Sequence, residues 1–333
     1  MSVSAILLVM KPILTDDLLR LLQRISEHYQ LPPTKRKRGR QPHFSDLSFL
    51  LLAVAAVVTK TFADAELFRL LQTDRRLRQV CGFSRLPHRT TILRRLKSLT
   101  AQAEQQIGYL GAEILAATTV TETQTVSAID GRMYQALGPK WHKRDRQAGV
   151  IPPRLRNVDR QSQWFKSGYR GWVQGYRLVI QSLVFPFPVP LSARWVANNI
   201  GEATVAKESL QKRRLVKTDV VLADETFGGA ELVRLYKQAE IWLLTPKQLP
   251  KTRQSFKHDL YDYRKETIEL LFQRIIQSFD LKTCRVKGLN KNAVFVLACV
   301  WVYQGVFLMN YRQQKPLFVI KEPIESARWR IRS

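Results

Sequence analysis

Residues 125–137 read TVSAIDGRMYQAL. The near-alternation of apolar and polar side chains has the period of a β-strand. Val126, Ser127, Ala128 and Ile129 lead directly into Asp130. An ionised carboxylate at the end of such a run costs several kcal/mol unless it is paired or bound to metal. The same pattern returns where Val220, Val221, Leu222 and Ala223 lead into Asp224. Either aspartate alone also reads as a turn or capping residue. The two together, in a strongly basic chain, point to carboxylates that share divalent cations.

Working outward, Tyr176 to Phe185 and Leu191 to Asn198 read as the next two strands, and Ala203 to Lys212 as a helix. Asp219 to Phe227 is a buried strand, followed by Gly228-Gly229 and a helix over Ala230 to Ala239. Glu240 to Pro246 is a fifth strand, and Arg264 to Phe279 an amphipathic helix. Three early strands followed by alternating helices and strands predict an α/β fold, a mixed sheet with helices on its faces. The last helix carries the apolar stripe Ile268, Leu271, Phe272, Ile275 and Phe279. At about 100° per residue, Glu269 lies on the shoulder of that stripe, whereas Glu266 turns further towards solvent. Glu269 is therefore the candidate third carboxylate.

These residues carry a resemblance. The chain resembles the DDE transposases of bacterial insertion sequences, of the insertion-sequence-4-like superfamily. The matching motifs are SAIDGRMYQALGPKWHK over 127–143, VLADETFGG over 221–229, KETIELLF over 265–272 and RVKGL over 285–289. The resemblance implies an RNase H-like catalytic domain with a five-stranded mixed sheet, over 119–315. An all-α DNA-binding region over 1–118 would precede it and a basic tail over 316–333 would follow. It implies Asp130, Asp224 and Glu269 as catalytic residues and as ligands of Mg²⁺, with Mn²⁺ able to substitute. It also implies cutting and joining of double-stranded DNA at terminal inverted repeats, without a covalent intermediate, by a homodimer on DNA. The chain departs from the family pattern around Glu269. Lys265 stands at the family's arginine position with Arg264 beside it, Asp262 at the tyrosine position, and Ile276 at the lysine position. Two rival readings share these residues: an inactive or domesticated transposase that only binds DNA, and a nuclease on the same fold.

The charge supports a polyanionic partner. Lys plus Arg number 54 against 27 Asp plus Glu, a formal net charge of +27 in 333 residues. Such an excess repels itself unless a polyanion lies near. Part of it sits in a proline-bracketed arm over 34–42 that includes Lys35, Arg36, Lys37, Arg38 and Arg40. Part flanks a short helix capped by Thr90, with Arg89, Arg94, Arg95 and Lys97 around Ile92, Leu93, Leu96 and Leu99. That segment has the look of a recognition helix, though any basic surface helix shares the pattern. Residues 140–177 hold ten basic and two acidic side chains, among Trp141, Trp164, Phe165, Tyr169, Trp172 and Tyr176. Lys143, Arg144, Trp164, Arg264 and Lys265 complete the candidate DNA contacts, since cations neutralise phosphates and aromatic faces stack on unpaired bases.

Several classes are excluded or disfavoured. The three cysteines show no CxxC pair, so zinc fingers and disulfide scaffolds are disfavoured. There is no G-x-x-x-x-G-K-[ST] phosphate loop, so no nucleotide cofactor is expected. The apolar run Phe49 to Val58 spans ten residues, too few for a bilayer that needs about 20. Ile6 to Met10 lacks the basic flank of a signal peptide. The expected location is the bacterial cytoplasm, at the nucleoid.

Overall fold

The computed structural model describes residues 16–30, 43–119, 124–168, 171–251 and 255–327. The basic arm over 34–42 and Tyr169 lie outside the described residues. Among the described residues six helices precede the sheet: α1 (Asp16–Glu27), α2 (Asp46–Thr59), α3 (Asp64–Thr73), α4 (Arg75–Val80), α5 (Arg89–Ser98) and α6 (Thr100–Thr118). Then follow β1 (Val126–Gln135), α7 (Lys143–Gln147), β2 (Gln163–Ser167), β3 (Gly171–Leu183), β4 (Val189–Ala197), α8 (Glu202–Gln211), β5 (Val220–Leu222), α9 (Ala230–Gln238) and β6 (Trp242–Leu244). Helices α10 (Phe256–Phe279), α11 (Leu289–Arg312) and α12 (Lys321–Ser326) close the chain.

The sheet is RNase H-like. Strand β3 pairs antiparallel with both β1 and β4, while β5 runs parallel to β1 and β6 parallel to β5. The sheet has six strands rather than the expected five, because β2 forms a hairpin with the start of β3. Its short pattern is hidden by the basic and aromatic residues of that segment. Strand β3 also begins earlier than expected, since Gln174 is buried there by hydrogen bonds from its side chain to Ser162 Oγ at 2.8 Å and to it from Trp141 N–H at 2.8 Å.

Two apolar layers cover the sheet. Ile129, Val179, Val221 and Leu243 face α8 and α9. Ala128, Leu178, Ile180 and Leu222 face the other way, into a core shared with α2, α6, α10 and α11. Helix α6 lies very close to β4, since a Cβ on Gly111 would stand 1.9 Å from the Leu191 carbonyl oxygen. The sequence pattern assigns no element beyond Leu289, yet α11 is the central helix of the fold. Its apolar residues occupy every side because every side is packed, so no amphipathic period marks it. It is long and apolar enough to cross a bilayer, but 94% of its apolar window is buried inside the fold. The bent pair α2 and α3 also passes as a broken span, with a bend of 102°, and α2 is likewise buried in the core. Gln304, within α11, donates to Ile107 O at 3.0 Å and Pro190 O at 2.8 Å, tying α6 and β4 together.

Two boundaries differ from expectation where they bear on the site. Strand β5 stops at Leu222, and Asp224 caps a 3-10 turn over Glu225–Phe227. Helix α10 begins eight residues before Arg264, at Phe256, with Ser255 as its cap. In its first two turns only Leu260 is buried, too little to mark an apolar stripe.

Candidate active site

Parallel pairing of β1 with β5 sets the site. Ala128 stands opposite Leu222, so Asp130 and Asp224 both lie two residues further along neighbouring strand directions. Asp130 remains inside β1, opposite Ile180 of β3. Asp224 is fixed by its turn: one carboxylate oxygen accepts from Thr226 N–H at 2.9 Å and from the Thr226 hydroxyl at 2.5 Å. A third carboxylate arrives from α8, where Glu202 is the first helical residue. One oxygen each from Asp130, Glu202 and Asp224 lie within 4.8 Å of one another. Gly131 makes that approach possible. Side chains alternate along a strand, so position 131 faces α8 with Ile129. Having no side chain, it leaves the space that Glu202 fills.

Two arginines balance the acids. Arg264 Nη2 on α10 lies 3.2 Å from Asp130 Oδ2, while Asp130 Oδ1 accepts the Gly131 N–H at 2.8 Å. Arg177 Nη1 on β3 lies 3.2 Å from Glu202 Oε1, with both side chains largely buried, at 3% and 14% exposure. The Arg177 guanidinium also stacks 4.6 Å from the Phe165 ring centroid. Burial pushes the Glu202 carboxyl up to about 7, helped by the negative charge of Asp130 and opposed by Arg177. Burial also raises the Asp130 carboxyl, with Arg264 pulling the other way. Burial is the first cause of both shifts, so the acids stand in a site short of water. Three hard oxygen donors so placed suit a small divalent cation such as Mg²⁺ or Mn²⁺.

A family model described as the transposase DDE domain matches residues 121–304, just over half of the chain. The chain belongs to the DDE-domain transposase family. The matched span runs from the residues before β1 into α11, and so contains all of the site just described. No curated protein matches the chain. Among solved structures, a cryo-EM structure of the piggyBac transposase synaptic complex with hairpin DNA is similar, with 8% identity and a TM-score of 0.42, covering 94% of this chain and 77% of that one.

In this DDE-domain chain the expected residues fall in different places. Asp130 and Asp224 are brought together. Glu269 is exposed on α10, outside the 4.8 Å cluster, yet near enough for its charge to raise the Asp130 carboxyl. Ile276, at the family's lysine position, packs against the core. Glu202 is the acidic residue that the sequence pattern misses. Following Gly201 at a helix start, it looks like a carboxylate placed to favour the helix dipole. Its only signal is the glycine after Asp130, which on sequence grounds has several readings.

The candidate DNA contacts also divide. Lys35, Arg36, Lys37 and Arg38 lie outside the described residues. Arg89 and Arg94 are exposed on α5, whose cap is His88 rather than Thr90. Arg95 is turned inward, paired with Asp46 and stacked 5.3 Å from the Phe49 ring. Lys143 lies over the exposed Trp172 at 4.8 Å and Arg144 is exposed beside it. Trp164 is half-buried and donates to Trp141 O at 2.6 Å. Arg264 is spent on Asp130, and Lys265 is exposed on the adjoining face of α10.

Proposed function

We propose that this protein cuts and joins DNA at the ends of an insertion sequence by metal-dependent phosphodiester chemistry. The observation that carries this reading is the 4.8 Å cluster of Asp130, Glu202 and Asp224, inside a domain of the DDE transposase family. Asp130, Glu202 and Asp224 would hold a divalent ion, with Glu269 on α10 as the further carboxylate whose charge reaches Asp130. The bound ion supplies Lewis-acid activation of the attacking water or DNA 3′-hydroxyl and stabilisation of the leaving oxygen.

The remaining chemistry belongs to this chain's own side chains. Thr226 holds the Asp224 carboxylate in one orientation, so it need not reorganise during reaction. Arg177 keeps Glu202 turned towards the cluster. Arg89, Arg94, Lys143, Arg144 and Lys265, with the arm over 34–42, would neutralise phosphates of the terminal repeats and the target, and Trp164 lines the same track. A homodimer on DNA would bring two ends together at the nucleoid.

The deciding experiment uses purified protein, element-end DNA and Mg²⁺. Asp130→Asn and Asp224→Asn should each abolish strand cleavage while retaining DNA binding. Undiminished cleavage by either variant overturns the reading. A DNA-binding protein without cleavage is the second reading, favoured by the core-packed Ile276 and by the exposed Glu269. Tight end binding by the unmodified protein with no Mg²⁺-dependent cleavage would select it.

A further inference from the structure

We infer that Arg264 is a positioning residue that competes with the divalent ion for Asp130, so that ion entry and release of Arg264 are one coupled event. The inference rests on the metal reading above and goes beyond it.

Both oxygens of Asp130 are engaged. Oδ1 accepts the Gly131 N–H at 2.8 Å and Oδ2 faces Arg264 Nη2 at 3.2 Å. An ion drawing on Asp130 meets a guanidinium already seated on the same carboxylate. Like charges a few ångströms apart in a partly buried site repel strongly, so the two cations exclude one another from Asp130.

The two arginines of the site differ in how freely they can leave. Arg177 grows from the central strand β3 and is 3% exposed. It is stacked on Phe165 and lies 3.4 Å from Ile200 O as well as against Glu202. Leaving would strand a buried charge, so it is a fixed wall of the site. Arg264 grows from a helix surface, and its side chain is 13% exposed. Nε of each arginine is buried without a hydrogen-bond partner, so the two differ in exposure and in their anchoring contacts instead. The Tyr261 ring one turn earlier lies 6.0 Å from the guanidinium, a second contact that Arg264 keeps on the surface of α10 itself. The next residue on α10, Lys265, already faces solvent. Arg264 thus holds Asp130 until a better cation arrives, and is then free for an anion beside the ion.

The test measures Mn²⁺ binding to the full-length protein without DNA, by electron paramagnetic resonance of the free ion. Arg264→Gln should bind Mn²⁺ about tenfold more tightly than the unmodified protein, because a competing unit charge is gone. Lys257→Gln removes the same charge from the first turn of the same helix and should change the affinity by less than about twofold. Asp224→Asn should lose the site. An Arg264→Gln variant with unchanged or weaker Mn²⁺ affinity overturns the inference, provided its circular dichroism spectrum is intact. Should that variant fail to fold, Arg264→Lys reads the same competition. It keeps the charge but loses the fork, and should bind Mn²⁺ about threefold more tightly. Equal affinity there overturns the inference. Binding that Asp224→Asn abolishes but Arg264→Gln leaves unchanged removes only this inference. Absence of binding in both the unmodified protein and Arg264→Gln removes the metal reading with it.

Discussion

A β-carbon on Gly131 would stand 2.5 Å from Glu202 Oε1 and 2.6 Å from its Cδ and Cγ. The glycine of the strand and the carboxylate of α8 therefore occupy one space between them. Gly131→Ala should push Glu202 out of the cluster while leaving the sheet intact. Expected is a loss of Mn²⁺ affinity of about tenfold, with a loss of stability of about 3–5 kcal/mol, since displacing Glu202 leaves the buried Arg177 without its ion-pair partner. Calorimetric titration with Mn²⁺ and urea unfolding check the two halves.

Glu202 and Glu269 can be separated by when each matters. Glu202 stands within the cluster and Glu269 outside it. Glu202→Gln should weaken Mn²⁺ binding without DNA. Glu269→Gln should leave that binding unchanged within about twofold, since its charge is exposed and screened. Both should lower Mg²⁺-dependent cleavage of element-end DNA, by about a hundredfold or more. Equal Mn²⁺ affinities for the two variants would show that the cluster does not act as a unit.

How much of this was legible in the sequence depends on the kind of signal. Asp130 and Asp224 were conspicuous because a carboxylate after four apolar strand residues has no cheap explanation. Their juxtaposition needed only the parallel register of two neighbouring strands. Glu202 was hidden because a glutamate in the first turn of a helix is ordinary, and what makes it unusual is a contact across the sheet with residue 131. Arg95 looked like a DNA contact because sequence shows its charge but not Asp46, 49 residues earlier, which takes it. Helix α11 was hidden for the opposite reason. A helix packed on all sides has no polar face, and periodicity needs one.

The Glu202 carboxyl, ordinarily near 4.5, is raised to about 7. An acid whose folded pKa is raised favours folding when protonated. Its contribution is complete below pH 4.5 and is lost as the pH climbs through about 7. Across that window the unmodified protein in EDTA should lose stability, on the order of 3 kcal/mol from this group alone. Asp130, from β1, and Glu104, buried against β4, are raised in the same direction and add to the slope. Arg177 and Arg264 face the group and oppose the rise. Asp219 and Asp280 are held below 3.8 and act at lower pH. Glu202→Gln should flatten part of the decline, as read from urea midpoints at pH 5 and pH 8. An identical slope in the variant would show that Glu202 titrates normally.

Asp159 is 3% exposed and joins the segment between α7 and β2 to the start of α11. Its Oδ1 accepts from the Tyr176 hydroxyl at 2.8 Å and from Gln161 N–H at 3.1 Å, and its Oδ2 from Gly288 N–H at 2.9 Å. Asp159→Ala would leave a buried hydroxyl and a helix-start amide without partners. Unsatisfied buried donors cost about 1–3 kcal/mol each, so a loss on the order of 3 kcal/mol is expected in urea unfolding. Cleavage should fall less than stability, because Asp159 makes no contact with the acidic cluster among the described hydrogen bonds.

Arg94 and Arg95 are neighbours on α5 and line one cleft, but Arg95 is held there by Asp46. Arg94 is exposed beside a cleft of about 760 Å³ that is also lined by His43, Arg85 and His88. Arg95 is 22% exposed and paired with Asp46. If α5 lies against DNA, Arg94→Ala should weaken binding and reduce the slope of log affinity against log salt by about one, the signature of one lost phosphate contact. Arg95→Ala should instead lower stability by about 1 kcal/mol, through lost packing on Phe49 and an unpaired Asp46, and leave the salt slope nearly unchanged. Filter binding of duplex DNA across a salt series, with thermal unfolding of both variants, distinguishes them. A salt slope that responds to Arg95 and not to Arg94 would place the DNA on a different face of the N-terminal helices.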